Sequence, residues 1–556
     1  MKITTVTIHN FRSVKKQSFQ LSPYSLLIGP NNSGKTNIID ALRIFYEKDL
    51  KFAPAKDSPK IGTDDKESWL EIEFRLTDDE FSQLKDEYRQ ANNTLRVRKY
   101  LRSEDESRVK ANQSNIYAYE NGSLSGNLFY GAKNISEAKL GDVIYIPEVT
   151  KVDEYTKLTG PSAFRSLLEF VVKKVVKTSD AFAGLTRAFE DFNVTFREEA
   201  ARDGVSLKNL LEDINKELRD WEISFGININ QIKPEEIIKS LVSHYLKDPH
   251  LAGHEMDITS FGQGFQRHLI YTLIKLSIKY KDTPVKKAKK EFAPAYTLVL
   301  FEEPEAFLHP AQQGILDASL KDLSAEASQQ VLIASHSSHF VSKNIEDLPA
   351  IIKLTRPAGE TKIYQVDDQT LQEIFKDNKQ LKQILEPESK DNGIQSESIR
   401  YCLWLDPDRC CSFFADMVLI CEGLSEKALI DALMKEGSLE LRNSKTYILN
   451  AGGKHDIHRY MNLFGKLGIK HSVLFDGDNN SDKHKKINEF IQSKQNASTI
   501  RLHCFEGELE DCLGIPKVGN AYRKPINVMW HYRNNKIERD KIDELVKIVT
   551  KLIDAE

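Results

Sequence analysis

Acidic side chains at the ends of apolar runs are the first feature with chemical consequence. Met417 to Cys421 is unbroken apolar sequence, and it delivers Glu422 and Gly423, with Glu426 four residues beyond Glu422. A second run, "HSVLF", ends in Asp476 and Asp478 around Gly477. Further on, "CFEGELEDCLGIP" supplies Glu506, Glu508, Glu510 and Asp511. Of these, Glu510 and Asp511 are favoured as ligands because they precede the apolar Cys512-Leu513, like the opening of a helix. Taken alone, that acidic run also reads as a solvated turn. Carboxylate oxygens suit hard cations such as Mg²⁺ or Mn²⁺. Two ions about 3.5–4 Å apart activate a water and stabilise the leaving oxygen of a phosphodiester. Glu422, Glu426, Asp476 and Asp478, helped by Glu510 or Asp511, are the expected metal ligands.

A second chemistry is written near the N-terminus. "GPNNSGKT", Gly29 to Thr36, follows an apolar run and opens the helical pattern "NIIDALRIF". This is G-x-x-x-x-G-K-T in the required context. Gly29 and Gly34 let the backbone turn, so that the loop's N–H groups, with Asn32 inside it, converge on phosphate oxygens. Lys35 reaches the outer phosphates of ATP and Thr36 presents its hydroxyl to the accompanying Mg²⁺. Downstream, "YTLVLFEEPE" ends in Glu302, expected to hold Mg²⁺ through water, and Glu303, expected to polarise the attacking water. "QVLIASH" ends at His336, the expected γ-phosphate sensor. In "DITSFGQGF", Ser260 and Gly262 form a Gly-rich turn before a helix, a second phosphate site.

These residues need strands to end where they do. After Leu354 a polar stretch reads as linker and helix, and then apolar runs alternate with helical patterns. Repeated strand–helix units predict a parallel sheet, whose ligands sit at the carboxyl ends of the strands. Glu422, Gly452–Gly453 and Asp476/Asp478 all fall at that edge. Between 160 and 250, "FRSLLEFVVKKVVKTSDAFAGLTRAFEDF", "SLKNLLEDINKELRDW" and "KPEEIIKSLVSHYL" carry apolar residues at helical spacing without phosphate-binding features.

Bulk properties narrow the class. A chain of 556 residues holds two or three cores. At 40% hydrophobic and 29% charged it is globular. A formal net charge of −4 gives no nucleic-acid signal, so a polyanion must be held by local patches or metal ions. The lysine cluster from Lys279 to Lys290 reads as a solvated loop. Six cysteines with no C-x-x-C pair predict reduced thiols and a cytoplasmic setting. The first residues, "MKITTVTIHNFRSV", lack the apolar core expected of a signal peptide, and no apolar run approaches the length needed to cross a bilayer. Strand passage would need a tyrosine nucleophile in a separate domain, and none of the nineteen tyrosines sits in a recognisable winged-helix context.

In order and spacing, the P-loop, Ser260/Gly262, Glu302/Glu303 and His336 resemble the ABC-type ATPase head of SMC and RecF proteins. E-G-x-S-E, G-G and D-x-D, at Glu422 to Glu426, Gly452–Gly453 and Asp476–Asp478, resemble a Toprim domain. Asn479 and Asn480 stand where that pattern carries a third acid. Together the two resemble the OLD (overcoming lysogenization defect) nucleases, which include anti-phage nucleases of the Gabija and retron-associated kinds. The fold class implied is α/β: an ABC-type P-loop ATPase head with a helical insertion, then a parallel-sheet Toprim domain.

The expected boundaries are ATPase over 1–158 and 251–356, insertion over 159–250, linker over 357–412, Toprim over 413–518 and a helical segment over 519–556. The resemblance implies a homodimer or higher homo-oligomer with ATP between subunits, the insertion forming a dimer element. It implies DNA cutting by a two-metal Toprim site gated by the ATPase, and separately encoded partners such as a helicase or reverse transcriptase. It also implies a lysine beyond the carboxylates that assists catalysis, for which Lys536 is the candidate, with Lys541 close behind. Three alternatives stay open: cleavage of tRNA or other RNA, a RecF-like repair ATPase without nuclease activity, and a scaffold that captures a partner when nucleotide binds.

Overall fold

A computed structural model of the chain describes residues 1–148, 151–158, 162–176, 179–221, 223–227, 242–251, 253–280, 292–341, 345–385, 394–440, 446–478 and 481–554. The chain divides into two units, Met1–Glu148 with Lys290–Glu556, and Val149–Lys289.

The first unit contains three sheets. In the antiparallel one, Val14–Gln20, Lys2–Phe11, Ser68–Arg75, Thr94–Arg102, Ile116–Glu120 and Ser123–Leu128 lie side by side in that order. The alternation in "KITTVTIHNF" is what such a strand requires, since Val6 and Ile8 turn inward while their neighbours face outward. Its inner face packs on the second sheet through a shared core that includes Leu27, Leu42, Phe45, Leu298, Leu300 and Leu332. The buried Gln330 fastens the two layers. Its amide donates to the Ile3 carbonyl at 2.9 Å and accepts from the Ile3 N–H at 2.6 Å.

The second sheet has the order Lys362–Gln365, Ile351–Thr355, Tyr24–Ile28, Gln329–Ala334, Thr297–Glu302, Asp142–Ile146, parallel except for its first pair. The strand Tyr24–Ile28 that feeds the P-loop is therefore internal, buried on both faces, and reads as continuous apolar sequence for that reason. Parallel pairing brings the ends of Tyr24–Ile28, Thr297–Glu302 and Gln329–Ala334 to one rim.

The third sheet is parallel throughout, in the order Thr446–Asn450, Met417–Cys421, Lys470–Phe475, Thr499–Cys504. Its core takes in Leu419, Leu429, Leu433 and Leu474, and also Val528, Val549 and Leu552 from the C-terminal helices Lys524–Arg533 and Arg539–Ile553. Each such aliphatic side chain, fully buried, contributes about 1.5–3 kcal/mol. Those helices are thus held by the same core as the sheet. On the other flank, the stretch 357–412 carries the edge strand of the second sheet and the helices Asp368–Leu385 and Ile394–Trp404. Both helices bond to the helix Lys454–Lys466. Buried Glu397 pairs with buried Arg459 through two bonds of 3.0 Å, and Asn378 accepts from Asn462 at 2.9 Å. Lys353, buried in Ile351–Thr355, donates to the Phe413 carbonyl just ahead of Met417–Cys421.

The second unit is mainly helical: Ala163–Val176, Asp180–Glu198, Leu207–Glu217 and Gln263–Lys279. Ser179 and Ser206 cap two of these by accepting from the N–H groups of Phe182 and Asn209. Most of "KPEEIIKSLVSHYL" and the lysine cluster, at 281–290, lie outside the described residues. The described cysteines 410, 411, 421, 504 and 512 are free thiols. Among the described residues no helix is long and apolar enough to cross a membrane.

Candidate functional sites

At the rim of the second sheet, the P-loop from Asn31 to Asn37 with Glu148, Glu302, Glu303 and His336 encloses a cavity of about 410 Å³. Two glycines are mandatory in the loop. Gly29 has φ 153, and a Cβ there would lie 2.4 Å from the Leu354 carbonyl oxygen. Gly34 has φ 107, and a Cβ would lie 2.4 Å from the Thr361 hydroxyl. Lys35 donates to the loop carbonyls of Gly29 and Pro30, at 3.0 and 3.2 Å, which stations its ammonium inside the curl. Thr36 is exposed on the cavity side. Asn32 is left-handed, with φ 65, and its side chain accepts from Arg356 at 2.9 Å.

Glu302 accepts from the Tyr145 hydroxyl at 2.5 Å. Glu303 also takes the left-handed conformation, φ 44, a costly choice for a non-glycine residue. Burial, and then the charges of Glu148 and Glu305, push its carboxyl pKa upward. The His336 ring nitrogen lies 3.7 Å from Glu303, and burial with the Lys35 charge pushes the imidazole down to about 4. At neutral pH this is a neutral imidazole beside a carboxyl group rather than an ion pair. The His336 N–H donates to Glu305 at 2.6 Å. Tyr145, Glu148, Glu305 and Arg356 were not marked by the sequence motifs, although Glu305 stands two residues after Glu303 in "EEPE". Ser260 and Gly262 are in the second unit. Ser260 ends a 3-10 turn, Gly262 immediately precedes the helix Gln263–Lys279, and both are exposed.

The rim of the third sheet has the opposite character. Glu422 accepts from the Asp476 N–H at 3.1 Å, so acids 54 residues apart in sequence are neighbours. Asp476 in turn accepts from the Leu509 N–H at 2.9 Å, which brings in the segment with the later acids. Asp476, Asp478 and Glu508 each offer an oxygen within 4.8 Å of the others. Asp478 is left-handed, φ 48, and pairs with buried Lys454 at 2.7 Å and with His484 at 3.3 Å. Glu426 is buried and accepts from the Gly423 N–H at 3.0 Å, capping the helix Leu424–Lys435.

Burial, opposed by Lys454 but reinforced by Glu426, pushes Glu422 up to about 7. Glu426 and Asp476 are raised too, by burial first and then by neighbouring carboxylates. Glu510 is fully buried, and its Oε1 has no hydrogen-bond partner. Several desolvated carboxylates that raise one another's pKa, with an orphaned oxygen among them, fit a hard divalent cation.

Not every expected ligand joins this group. Asp511 accepts from the Glu508 N–H at 2.9 Å and pairs with Lys517 at 2.7 Å, so it works as a helix cap. Glu506 is exposed. Lys536 lies 4.2 Å above the Trp530 ring, and Lys541 pairs with Glu544 at 3.5 Å. Two lysines beyond the carboxylates reach Glu508, Lys524 at 2.6 Å and Lys517 at 3.2 Å, and of the two the Lys524 charge acts on Asp476. Glu508, Lys454 and Lys524 are the residues that motif spacing missed. For Lys454 a signal existed, since it follows Gly452–Gly453 directly. Asn479 and Asn480 lie outside the described residues.

Residues 1–140 and 185–341 match the family described as AAA ATPase domain. Residues 413–478 match the overcoming lysogenization defect protein-like TOPRIM domain. The chain is similar to the Old nuclease of Escherichia phage P2, 25% identical over 514 residues, with 86% of this chain and 77% of that protein covered. It is also similar to Endonuclease GajA of Bacillus cereus (strain VD045), 24% identical over 516 residues, with 87% and 76% covered. Among solved structures, an SMC head bound to the C-winged helix domain of ScpA covers 67% of this chain and all of that one, at 18% identity and a TM-score of 0.36. The chain therefore belongs to the AAA ATPase domain family, and its residues 413–478 match the overcoming lysogenization defect protein-like TOPRIM domain.

Proposed function

We propose that the protein is a metal-dependent DNA endonuclease whose cutting is gated by ATP in a homodimer, with the anti-phage role that the OLD resemblance implies. The observation that carries this reading is the meeting of Glu422, Asp476, Asp478 and Glu508 at one sheet rim. Glu422, Asp476 and Asp478 with Glu508, and Glu426 and Glu510 behind them, would hold Mg²⁺ or Mn²⁺. Divalent cations in such a site supply the charge that activates water and stabilises the departing oxygen. The chain's own residues do the rest. The Asp476 and Leu509 N–H groups fix the orientation of the Glu422 and Asp476 carboxylates, and Lys454 does the same for Asp478. Lys524, in place of Lys536, neutralises negative charge that develops on the phosphate.

At the other rim, Lys35 and the loop N–H groups would bind the ATP phosphates, and Thr36 and Glu302 would hold the accompanying divalent cation. Glu303, with its pKa raised, is suited to take a proton from the attacking water, while neutral His336 hydrogen-bonds the outer phosphate. Ser260 and Gly262, exposed at a helix N-terminus, suit contact with nucleotide held by a second copy.

The test is nicking of supercoiled plasmid in Mg²⁺ or Mn²⁺, with tRNA as a parallel substrate. Asp476→Ala is expected to lower plasmid nicking about a thousandfold or more. Wild-type cutting of tRNA but not plasmid would replace the DNA assignment. Undiminished nicking by the variant would sink the site.

A further inference from the structure

The helix Lys524–Arg533 has two faces with different obligations. Val528 is fully buried in the Toprim core, and Met529 and Tyr532 pack beside it. The other face carries Ile526 and Trp530, 65% and 47% exposed, and the preceding turn adds Tyr522, 67% exposed. These three recur every four residues, so they form a stripe along one side. Large apolar side chains left in water at such spacing are not core, and the core they could have joined is already filled by their neighbours.

The charge around the stripe says what covers it. From Lys517 to Arg539 the chain carries six lysines and arginines and one acid, Glu538; Lys517 and Lys524 pair with Glu508 and Arg539 with Asp543, which leaves Arg523, Arg533 and Lys536 as the cations beside the stripe. The cations interleave with the rings: the Arg523 guanidinium lies 5.9 Å from the Tyr522 ring centre and the Lys536 ammonium 4.2 Å from that of Trp530. A protein-binding patch is usually depleted of charge at its centre. Aromatic side chains among cations are instead the pattern of a surface that stacks bases and tracks phosphates. A paired duplex hides its base faces, so apolar rings serve a strand whose bases are free.

The end of the helix at which the stripe begins is also the end nearer the carboxylate rim. Lys524 opens the helix and reaches Glu508 there. With a rise of about 1.5 Å per residue, Ile526 lies about 3 Å and Trp530 about 9 Å farther along the axis. Stacked bases advance about 3.4 Å each, so two or three nucleotides next to the scissile phosphate span it.

We propose that the Tyr522–Ile526–Trp530 face is a stacking platform for unpaired DNA, holding a single strand that runs to the carboxylate rim. This deepens the nuclease reading by naming its substrate as duplex that is open, frayed or single-stranded at the cut. Only the placement of the strand beside the site rests on that reading.

The experiment is fluorescence anisotropy of the full-length protein with short labelled oligo(dT), oligo(rU) and blunt duplex, with no divalent cation added. Tyr522→Ala and Trp530→Ala are each expected to weaken oligo(dT) binding about tenfold, the loss of one stacked base. Duplex binding is expected to stay within about twofold, and Trp530→Phe to restore oligo(dT) affinity. Unchanged melting temperatures show that the exposed substitutions leave the fold intact. Wild-type protein that binds through this face but cuts nothing keeps the platform and overturns the nuclease reading. Wild-type affinity in both alanine variants, equal losses on duplex, losses confined to oligo(rU), or a changed oligomeric state each overturns the platform.

Discussion

The two parallel-sheet rims use the same topology for ligands of opposite charge. In each, an internal apolar strand ends in an acid, and a non-glycine residue just beyond a strand adopts the left-handed conformation: Glu303 at one rim, Asp478 at the other. At the nucleotide rim, a glycine-dependent loop aims N–H groups and Lys35 into an open cavity, and the neighbouring imidazole is held neutral. At the Toprim rim, carboxylates crowd closely enough to raise one another's pKa, and the lysines stand at the periphery on Asp478 and Glu508. One rim is assembled to take an anion and the other a cation. Strand topology decides where a ligand sits, and the side chains placed at the strand ends decide its sign.

Separate substitutions test whether the rims are chemically independent. The largest effect is expected from Glu303→Gln: ATP hydrolysis falls about a hundredfold or more while ATP binding persists, since the carboxylate positions water rather than phosphate. Measured plasmid nicking without ATP is expected to be unchanged, and its loss would mean that the rims act as one site. Next, Lys524→Ala is expected to slow nicking about ten- to a hundredfold and leave ATP hydrolysis alone. The same loss from Lys536→Ala instead would return the catalytic role to the residue that sequence reasoning chose.

The smallest effect concerns Lys353, which touches both regions: it pairs in register with Ile28 of the P-loop strand and donates to Phe413. Burial depresses its pKa from 10.5 to about 7. Between those values the unfolded chain binds more protons than the folded one, so wild-type stability rises with pH there. Relative to Lys353→Met, the wild type is expected to gain at most about 1.4 kcal/mol per pH unit between pH 7 and 9, by urea unfolding at both ends. A flat difference would mean that the ammonium keeps its charge inside.

What could be read in the sequence was whatever is local. The P-loop, Glu302/Glu303, His336, Glu422 and the Asp476/Asp478 pair each follow an apolar strand directly, so spacing placed them at a rim. The misplacements involve contacts between distant segments. Asp511 and Glu508 look equivalent in "FEGELED", but Asp511 caps the short helix and Glu508 faces the aspartates. Lys524 and Lys536 differ in which end of a helix meets the site, and that is fixed by Val528 entering a core to which three strands and three other helices contribute. No local pattern encodes that docking. Asp476→Ala, Glu303→Gln and Lys524→Ala thus probe residues found by motif, by motif and by packing, in turn.

The paired Glu397 and Arg459 bear on how this protein can be dissected. A fragment begun at Ala415 would discard the Glu397 carboxylate together with both helices that cover Lys454–Lys466, leaving Arg459 with Asp456, 3.2 Å away, as its acidic partner. An expression boundary drawn upstream of Asp368 retains both helices that clasp Lys454–Lys466 and so keeps Glu397 with Arg459.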